Sequence, residues 1–179
     1  SDNAGDSWTH IGLEESNHIG RIVVDPTDPD RVFVAATGIL YGYSSERGIY
    51  RTSNGGTDWE HVLFVTDSTA AVDVAMNSAT TNIIFASMWE RTRKPWQRDY
   101  GGVTSAIHRS IDGGDTWVEL GAANGLPAPD SQTGRIGISI SESDPSTVYA
   151  RFTTNEISNE FNGLYKSIDN GDKWSLVTL

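Results

Sequence analysis

Short apolar runs alternate with clusters of turn-forming residues along the whole chain. Residues 32–35, 83–86 and 148–150 are such runs, and each is rich in β-branched or aromatic side chains. No segment has the 3.6-residue periodicity of an amphipathic helix. Runs of this length, bounded by Gly, Asp, Asn and Pro, are typical of β-strands. The pattern therefore predicts an all-β protein of many short strands.

The strand pattern repeats three times. Residues 20–25 match residues 134–139, and residues 72–76 fill the same place between them. A turn follows each of these strands, with Asp-Pro pairs at 28–29 and 144–145, and Asp-Pro initiates turns. A second strand comes after the turn, and further strands lie at 48–51, 106–109 and 163–166, and at 59–64, 117–120 and 174–177. Each unit thus contains four strands, here called A, B, C and D.

An octapeptide accompanies the repeat. It occupies residues 1–8, 52–59, 110–117 and 167–174, and its pattern is Ser/Thr-x-Asp/Asn-x-Gly-x-x-Trp. The third residue can accept hydrogen bonds from its own turn, the glycine permits positive φ, and the tryptophan starts the next strand and can bury its ring. We predict a structural role for Asn3, Gly5, Trp8, Asn54, Gly56, Trp59, Asp112, Gly114, Trp117, Asp169, Gly171 and Trp174.

The octapeptide resembles the Asp-box, also called the bacterial neuraminidase (BNR) repeat. This repeat occurs in sialidases, two-propeller xyloglucanases and sortilin-type receptors, where it joins the third and fourth strands of a propeller blade. Residues 19–32, 46–51, 59–64 and 88–96 also resemble bacterial sortilin-like proteins, which are often labelled glycosyl hydrolases. The resemblance implies a β-propeller that is secreted or periplasmic, with boxes that lie away from the functional face.

Repeat and resemblance together predict blades of four antiparallel strands. Blade one covers about residues 18–64, blade two about 70–120 and blade three about 133–179, and residues 8–12 form one extra outer strand. Three blades do not close a typical propeller ring. The chain is thus expected to join the remaining blades of a longer parent, or to form a homo-oligomer such as a dimer.

Composition excludes several functions. The formal net charge is −11, which repels nucleic-acid phosphates, so no nucleic-acid partner is expected. No apolar run is long enough to insert into a membrane. The chain has no cysteine, which rules out disulfides and thiolate metal sites. The four histidines lack metal-ligand spacing, and we predict no metal and no cofactor.

Long loops lie on the face opposite the boxes and indicate where binding occurs. They are residues 36–47, 87–105 and 152–162, between strands B and C, and residues 121–132. The candidate ligand-binding residues in the second loop are Trp89, Arg91, Arg93, Trp96, Arg98 and Tyr100. Aromatic rings can stack on a ligand, and arginines can grip carboxylates. The alternative is that Trp89 and Trp96 plug the seam between blades.

Arg21 and Arg135 begin two A strands and are further candidates. They could bind an anionic ligand from the central channel, or they could pair with carboxylates such as Glu46 and Asp73.

No catalytic residues can be named. Glycoside hydrolysis needs two suitably spaced carboxyl groups, and the N-terminal Arg-Ile-Pro motif of sialidases is absent. The sequence therefore favours a non-catalytic binding or scaffold module from a larger secreted propeller, with a glycan or a peptide as ligand. The alternative is a fragment of a xyloglucanase-like or sialidase-like glycoside hydrolase.

Overall fold

The computed structural model describes residues 1, 3–156 and 160–179. These residues form three four-stranded antiparallel sheets and one two-stranded hairpin. The first sheet, blade one, contains β1 (Ile19–Val24), β2 (Val32–Ala36), β3 (Gly48–Thr52) and β4 (Glu60–Leu63). Its strands pair in chain order, so the sheet is a simple meander.

Blades two and three repeat this arrangement. Blade two contains β5 (Thr69–Met76), β6 (Ile84–Glu90), β9 (Ala106–Ser110) and β10 (Val118–Leu120). Blade three contains β11 (Thr133–Ile140), β12 (Val148–Thr154), β13 (Phe161–Ser167) and β14 (Ser175–Thr178). A hairpin of β7 (Thr92–Lys94) and β8 (Gln97–Asp99) is inserted between β6 and β9. The prediction of an all-β fold with sheets of four antiparallel strands is confirmed.

Over residues 1, 3–156 and 160–179, the helical structure consists of two 3-10 turns, Glu14–Ser16 and Ala122–Asn124. Among the described residues there is no helix with the length and apolarity that spanning a bilayer requires.

The sheets bury their faces against one another. Phe33 and Ile49 of blade one pack with Ala71 and Ile84 of blade two. Phe85 and Ile107 of blade two pack in turn with Ile136 and Val148 of blade three. Burying a side chain of this size contributes about 1.5–3 kcal/mol, so these two seams form the core of the molecule.

The first strands of the three sheets lie innermost. β1, β5 and β11 line a groove of about 450 Å³ that includes Val24, Met76 and Ile140. In each blade the remaining strands extend outward from this groove.

Residues 8–12 differ from the prediction, because they form no strand. A strand D must pair with the outer edge of a strand C, and β3, β9 and β13 already pair on both sides. Instead, the Ile11 carbonyl accepts a hydrogen bond from Trp59 Nε1 at 2.8 Å. The Ile11 side chain lies so close to Gly56 that a Cβ there would sit 2.7 Å from its Cδ1. The segment therefore contacts the box turn of blade one.

Candidate functional site

The box turns share one hydrogen-bond pattern. In the third box, the Ser110 hydroxyl accepts a bond from the Gly114 N–H at 2.8 Å. Asp112 Oδ1 accepts bonds from the Ser110 hydroxyl at 2.7 Å and from the Thr116 N–H at 2.9 Å. The same bonds recur around Asn3, Asn54 and Asp169. Bonds from the Thr116 side chain and backbone, and from Ser110, lower the pKa of Asp112 to about 2. Its carboxylate is thus engaged within its own turn.

The residue in the fourth place of each box has positive φ, like the glycine in the fifth place. The octapeptide pattern does not specify which residue stands there. Residues in this place are Ala4, Gly55, Gly113 and Asn170, with φ between 57° and 79°. Only two of the four are glycine. The signal that could have found them is the preference of Asn and Gly for left-handed backbone.

The four box tryptophans differ in burial and in hydrogen bonding. Trp174 is 5% exposed, and its Nε1 donates to the Gly171 carbonyl at 3.1 Å. Trp117 is half-buried and makes the equivalent bond to Gly114. Trp59 instead donates to Ile11, and Trp8 is 81% exposed. Equal sequence positions therefore have unequal environments, because the neighbouring surfaces differ.

On the opposite face, the β7–β8 hairpin carries the residues that the sequence singles out. Trp89 lies at the base of the hairpin, where its Nε1 donates to the Tyr100 carbonyl at 2.5 Å and its ring stacks on that of Tyr100 at 6.3 Å. Trp96 lies at the tip and is 81% exposed, so it does not plug a seam between blades. Arg98 is also exposed.

The outer side of the hairpin rests on the loop of residues 36–47. The guanidinium of Arg93 lies 5.3 Å from the ring centroid of Tyr41, and Lys94 Nζ lies 5.4 Å from that of Tyr43. The Gly42 N–H also donates to the Arg93 carbonyl at 3.1 Å. Arg93 therefore belongs to the packing between two loops, and its charge remains at their common surface.

Arg47 holds these loops together and was missed by the sequence reasoning. It is 1% exposed, and its Nη1 donates to the carbonyls of Ser68 and Arg91, both at 2.6 Å. Its Nη2 donates to the carbonyls of Ile39 and Gly42. Burial, and then the nearby positive charge of Arg91, lower the pKa of Arg47. One buried guanidinium thus fixes the base of the hairpin relative to loop 36–47.

A cavity of about 300 Å³ opens beside the hairpin. It is lined by Trp89, Arg135, Gly137, Arg151 and Thr153. This cavity, here called the arginine cavity, brings together two residues that the sequence named separately, Trp89 and Arg135. Arg151 was not predicted. It faces the cavity because β12 pairs it with Gly137, which has no side chain to cover it.

Arg91 lies against Trp89, one of the residues that line this cavity, but does not itself line it. Its guanidinium lies 5.3 Å from the Trp89 ring centroid. Burial lowers the pKa of Arg91, and the positive charges of Arg93 and Arg135 lower it further. The arrangement gathers cationic groups that repel one another, which is typical of a place that an anion neutralises.

No protein-family model matches this chain, and no curated protein matches it. Solved structures do resemble it. An ancestral GH74 enzyme has 21% identity and a TM-score of 0.67, over 96% of this chain and 20% of that one. The GH74 enzyme of Niastella koreensis has 17% identity and a TM-score of 0.68, over 98% of this chain and 25% of that one. YCF48 from Cyanidioschyzon merolae has 17% identity and a TM-score of 0.51, over 96% of this chain and 40% of that one.

The fold is a partial β-propeller. This chain spans a fifth to a quarter of the length of the two GH74 enzymes. At these identities the likeness concerns the fold, and the chemistry of the site must be argued from the site itself.

Within the propeller, Arg21 and Arg135 occupy different places, although both follow a glycine at the start of a strand A. In blade one, Arg21 pairs with Ala35. In blade three, Arg151 takes the place of Ala35 and pairs with Gly137, so Gly137 is the residue equivalent to Arg21. Arg135 lies two residues before Gly137 and beside the bulge between Thr133 and Ile136, so it stands nearer the long-loop end of its strand than Arg21 does in β1, which has a similar bulge between Ile19 and Arg21. Arg21 forms an ion pair with Asp73 at 3.1 Å, which was one of the two readings that the sequence left open. It is absent from the arginine cavity.

The arginines of the propeller fall into two groups. Those that lie near the boxes or along the inner strands have acidic partners, as in the pairs Arg21–Asp73, Arg31–Asp25, Arg51–Asp115 and Arg109–Asp172. In the described part of the chain, Arg91, Arg135 and Arg151 form no ion pair, and neither do Arg47, Arg93 and Arg98. An acidic chain with a net charge of −11 thus leaves three neighbouring arginines without carboxylate partners.

The Asp-rich turn at residues 25–30 is organised by its own hydrogen bonds. Burial alone would raise the pKa of Asp25, but bonds from the Thr27 backbone and hydroxyl and from Arg31 lower it to about 2. Arg31 Nε lies 2.7 Å from Asp25 Oδ2. Among the described residues, no three His, Cys, Asp or Glu side chains group closely enough to hold a metal ion.

Proposed function

We propose that this chain is a non-catalytic binding module of a larger secreted or periplasmic Asp-box propeller, and that it binds a ligand bearing a carboxylate at the arginine cavity. The observation that carries the proposal is the meeting of Arg135 and Arg151 at one cavity beside Trp89, with Arg91 over the Trp89 ring, and none of the three forms an ion pair within the described residues. Arg31, Arg51 and Arg109 are by contrast each paired with an acid within the fold.

The chemistry of the cavity suits such a ligand. A guanidinium can donate two parallel hydrogen bonds to one carboxylate, and each such bond is stronger than a neutral one. Binding an anion would also relieve the repulsion that lowers the pKa of Arg91. The half-buried Trp89 provides an apolar wall next to the charges. A uronic acid residue of a glycan or an acidic side chain of a peptide has the required combination of carboxylate and carbon surface.

The rigid support of the site favours binding. Arg47 fixes the hairpin base through the carbonyl of Arg91, and β11 and β12 hold Arg135 and Arg151 on one sheet. A site that is already formed loses less conformational entropy when a ligand binds.

Titration calorimetry of the chain with an oligogalacturonide and with an Asp/Glu-rich peptide tests the proposal. A neutral oligosaccharide of the same length is the ligand control. We expect binding of one of the acidic ligands, weakening as salt increases, because the attraction between charges is screened. Arg135→Gln and Arg151→Gln should each reduce the affinity by about tenfold or more.

Arg98→Gln is the matched control variant, because Arg98 is an exposed arginine on the same hairpin, outside the cavity. Loss of binding in Arg98→Gln equal to that in Arg135→Gln would indicate a diffuse charge effect and overturn the assignment of the site. The same mixtures are assayed for new reducing ends. Sustained release that is abolished by changing one Asp or Glu would establish the glycoside hydrolase alternative instead.

A further inference from the structure

The β7–β8 hairpin carries two arginines on one face. Arg93 of β7 and Arg98 of β8 are directly paired across the strands, so their side chains project from the same side of the hairpin. Like charges in this arrangement repel one another. Within the described residues, neither guanidinium forms an ion pair with an acid of the chain. This face of the hairpin therefore holds concentrated positive charge without a counter-ion from the fold.

Asp99, an acid of the same hairpin, points away from these arginines. It follows Arg98 in β8, and successive residues of a strand point to opposite faces. Lys94 follows Arg93 in β7 and therefore shares the face of Asp99. On that face Gln97 Nε2 also donates to Asp99 Oδ1 at 3.2 Å. One face thus combines a cation with an acid, whereas the other combines two cations.

Arg91 connects the face of two cations to the arginine cavity. It precedes Arg93 by two residues, and its guanidinium lies over the ring of Trp89, which lines the cavity. The positive charges of Arg93 and Arg135 both lower the pKa of Arg91, so Arg91 is close to both. The cations therefore continue from the cavity along one side of the hairpin. This series is here called the arginine row and consists of Arg151, Arg135, Arg91, Arg93 and Arg98.

Aromatic rings accompany the arginine row. The guanidinium of Arg91 lies 5.3 Å from the ring centroid of Trp89, and that of Arg93 lies 5.3 Å from the ring centroid of Tyr41. The Tyr41 side chain is 51% exposed, and Trp96 at the hairpin tip is 81% exposed. The row thus offers cations for negative charges and flat apolar rings for carbon surface.

The hairpin part of the row stands on loops rather than in a seam between blades. The hairpin connects β6 to β9, and loop 36–47 connects β2 to β3, so both belong to the long-loop face. Arg47 joins the two segments by donating to the carbonyls of Arg91 and Gly42. The surface is therefore supported by contacts within blades one and two.

We infer that the ligand of the arginine cavity is a polyuronate, a linear glycan with a carboxylate on each sugar, and that it extends from the cavity along the arginine row. The inference rests on the proposed function, in which the cavity binds one carboxylate. A repeated negative charge complements a series of five arginines without acidic partners in a chain whose net charge is −11.

The rings favour a glycan over an acidic peptide. Each further uronic acid brings a carboxylate to Arg93 or Arg98 and also a C–H face that can cover an exposed ring such as Tyr41. Asp and Glu side chains would supply the carboxylates, but they have too little carbon surface to cover such a ring.

Titration calorimetry with digalacturonide and hexagalacturonide tests the inference. The shorter ligand reaches only the cavity, so the double variant Arg93→Gln/Arg98→Gln should bind it like the original chain. The same variant should bind the hexamer about tenfold more weakly, because it lacks the outer cations of the row. Arg151→Gln should weaken the binding of both ligands, since it removes a cation of the cavity.

Lys94→Gln/Lys173→Gln is the matched control. It removes the same charge from the opposite face of the hairpin and from an exposed residue of the box of blade three, and it should leave both affinities unchanged. Amide exchange at Gly42, whose N–H bonds to the Arg93 carbonyl, verifies that the hairpin stays in place in both double variants.

The outcomes separate this inference from the proposed function. If the original chain binds the hexamer no more tightly than the dimer, the inference fails and the proposed function stands. The same holds if the double arginine variant binds the hexamer normally, or if the lysine control loses as much affinity for it. Tighter binding of hexaglutamate than of hexagalacturonide would replace the glycan by an acidic peptide. Binding of none of these acidic ligands would overturn the proposed function together with the inference.

Discussion

Phe33 in blade one and Gly114 in the box of blade two lie in direct contact, with the ring edge in the place that a side chain at Gly114 would need. A Cβ built on Gly114 lies 2.8 Å from Phe33 Cε1 and 3.2 Å from Cζ. The glycine therefore meets two demands at once, a φ of +92° within its turn and close approach to the neighbouring blade.

Gly114→Ala should lower the free energy of unfolding by about 2–4 kcal/mol, because left-handed backbone costs about 1–2 kcal/mol for a residue with a Cβ and overpacking adds about 1–3 kcal/mol. Chemical denaturation measures the loss. Gly42→Ala separates the two causes, since Gly42 has φ +84° with no atom near its Cβ position, and Gly137→Ala lacks both. Equal losses for Gly114→Ala and Gly42→Ala would show that the contact with Phe33 is unimportant.

The box tryptophans should contribute to stability in the order of their burial. We expect Trp174→Ala to cost about 3–5 kcal/mol, as for a buried large aromatic, and Trp8→Ala, at an 81% exposed residue, to stay within about 0.5 kcal/mol. Trp117→Ala should fall between them, because this ring is half-buried. Urea denaturation of the three variants gives the ranking. A large loss in Trp8→Ala would contradict the exposed position of that ring.

Stability should depend on pH through His108. Burial lowers the pKa of His108 from 6.5 to about 4, and its Nδ1 has no hydrogen-bond partner. Above pH 6.5 the ring is neutral in both the folded and unfolded states. Between pH 6.5 and 4 the unfolded chain binds the additional proton, so stability falls as pH falls, by at most roughly 1.4 kcal/mol per pH unit.

Denaturation midpoints of the original chain and of His108→Phe, measured from pH 7.5 to 4, isolate this contribution. His108 occupies the strand position of Tyr50 and Tyr165, so an aromatic ring fits there. The difference between the two chains should change over that pH interval and stay constant above it. Parallel curves throughout would mean that His108 titrates normally in the folded protein, for example through Glu119, whose Oε2 lies 3.9 Å from its Nε2.

Loss of Arg47 should loosen the long loops. Arg47→Met removes a donor from the part-buried carbonyls of Ile39, Gly42, Ser68 and Arg91, of which Ser68 keeps the bond from the Arg91 N–H, and each group left unsatisfied costs about 1–3 kcal/mol. We expect a large drop in stability and faster amide exchange at Gly42, whose N–H bonds to the hairpin. Arg98→Met, at an exposed arginine, is the control and should change neither. Unchanged exchange at Gly42 in Arg47→Met would show that the loops hold without the guanidinium.

The sequence alone was sufficient to predict the repeated four-stranded units. A box forms its turn from atoms within eight residues, such as Ser110, Asp112 and Gly114, so its geometry follows from local chemistry alone. The continuous apolar run of β2 likewise marks a strand that is buried on both faces, with Phe33 and Ala35 on one side and Val34 and Ala36 on the other. By the same local logic the sequence also suggested a strand at residues 8–12, which failed because a strand needs a free neighbouring edge.

The candidate site was predictable only in part. Trp89 and Arg91 could be named because they are an aromatic and a basic residue in a long loop, and Arg135 because it begins a strand A. Arg21 also begins a strand A, so sequence could not separate it from Arg135. The pairing of β11 with β12 makes Gly137, and not Arg135, the equivalent of Arg21, and this register depends on the partner strand rather than on the local Gly-Arg-Ile sequence. Arg47 and Arg151 were missed because their roles depend on atoms far along the chain.

What the sequence determined by itself is therefore the blade and its box, because strands, turns and their hydrogen bonds depend on neighbouring residues. Only the tertiary structure decided which residues at equivalent positions of the three blades have different partners and burial. Arg51 and Arg109 are neutralised by acids in the next blade, whereas Arg135 and Arg151 meet at a cavity without an acid. Charge and burial at these positions depend on what lies across a seam, and the sequence of one strand does not contain that information.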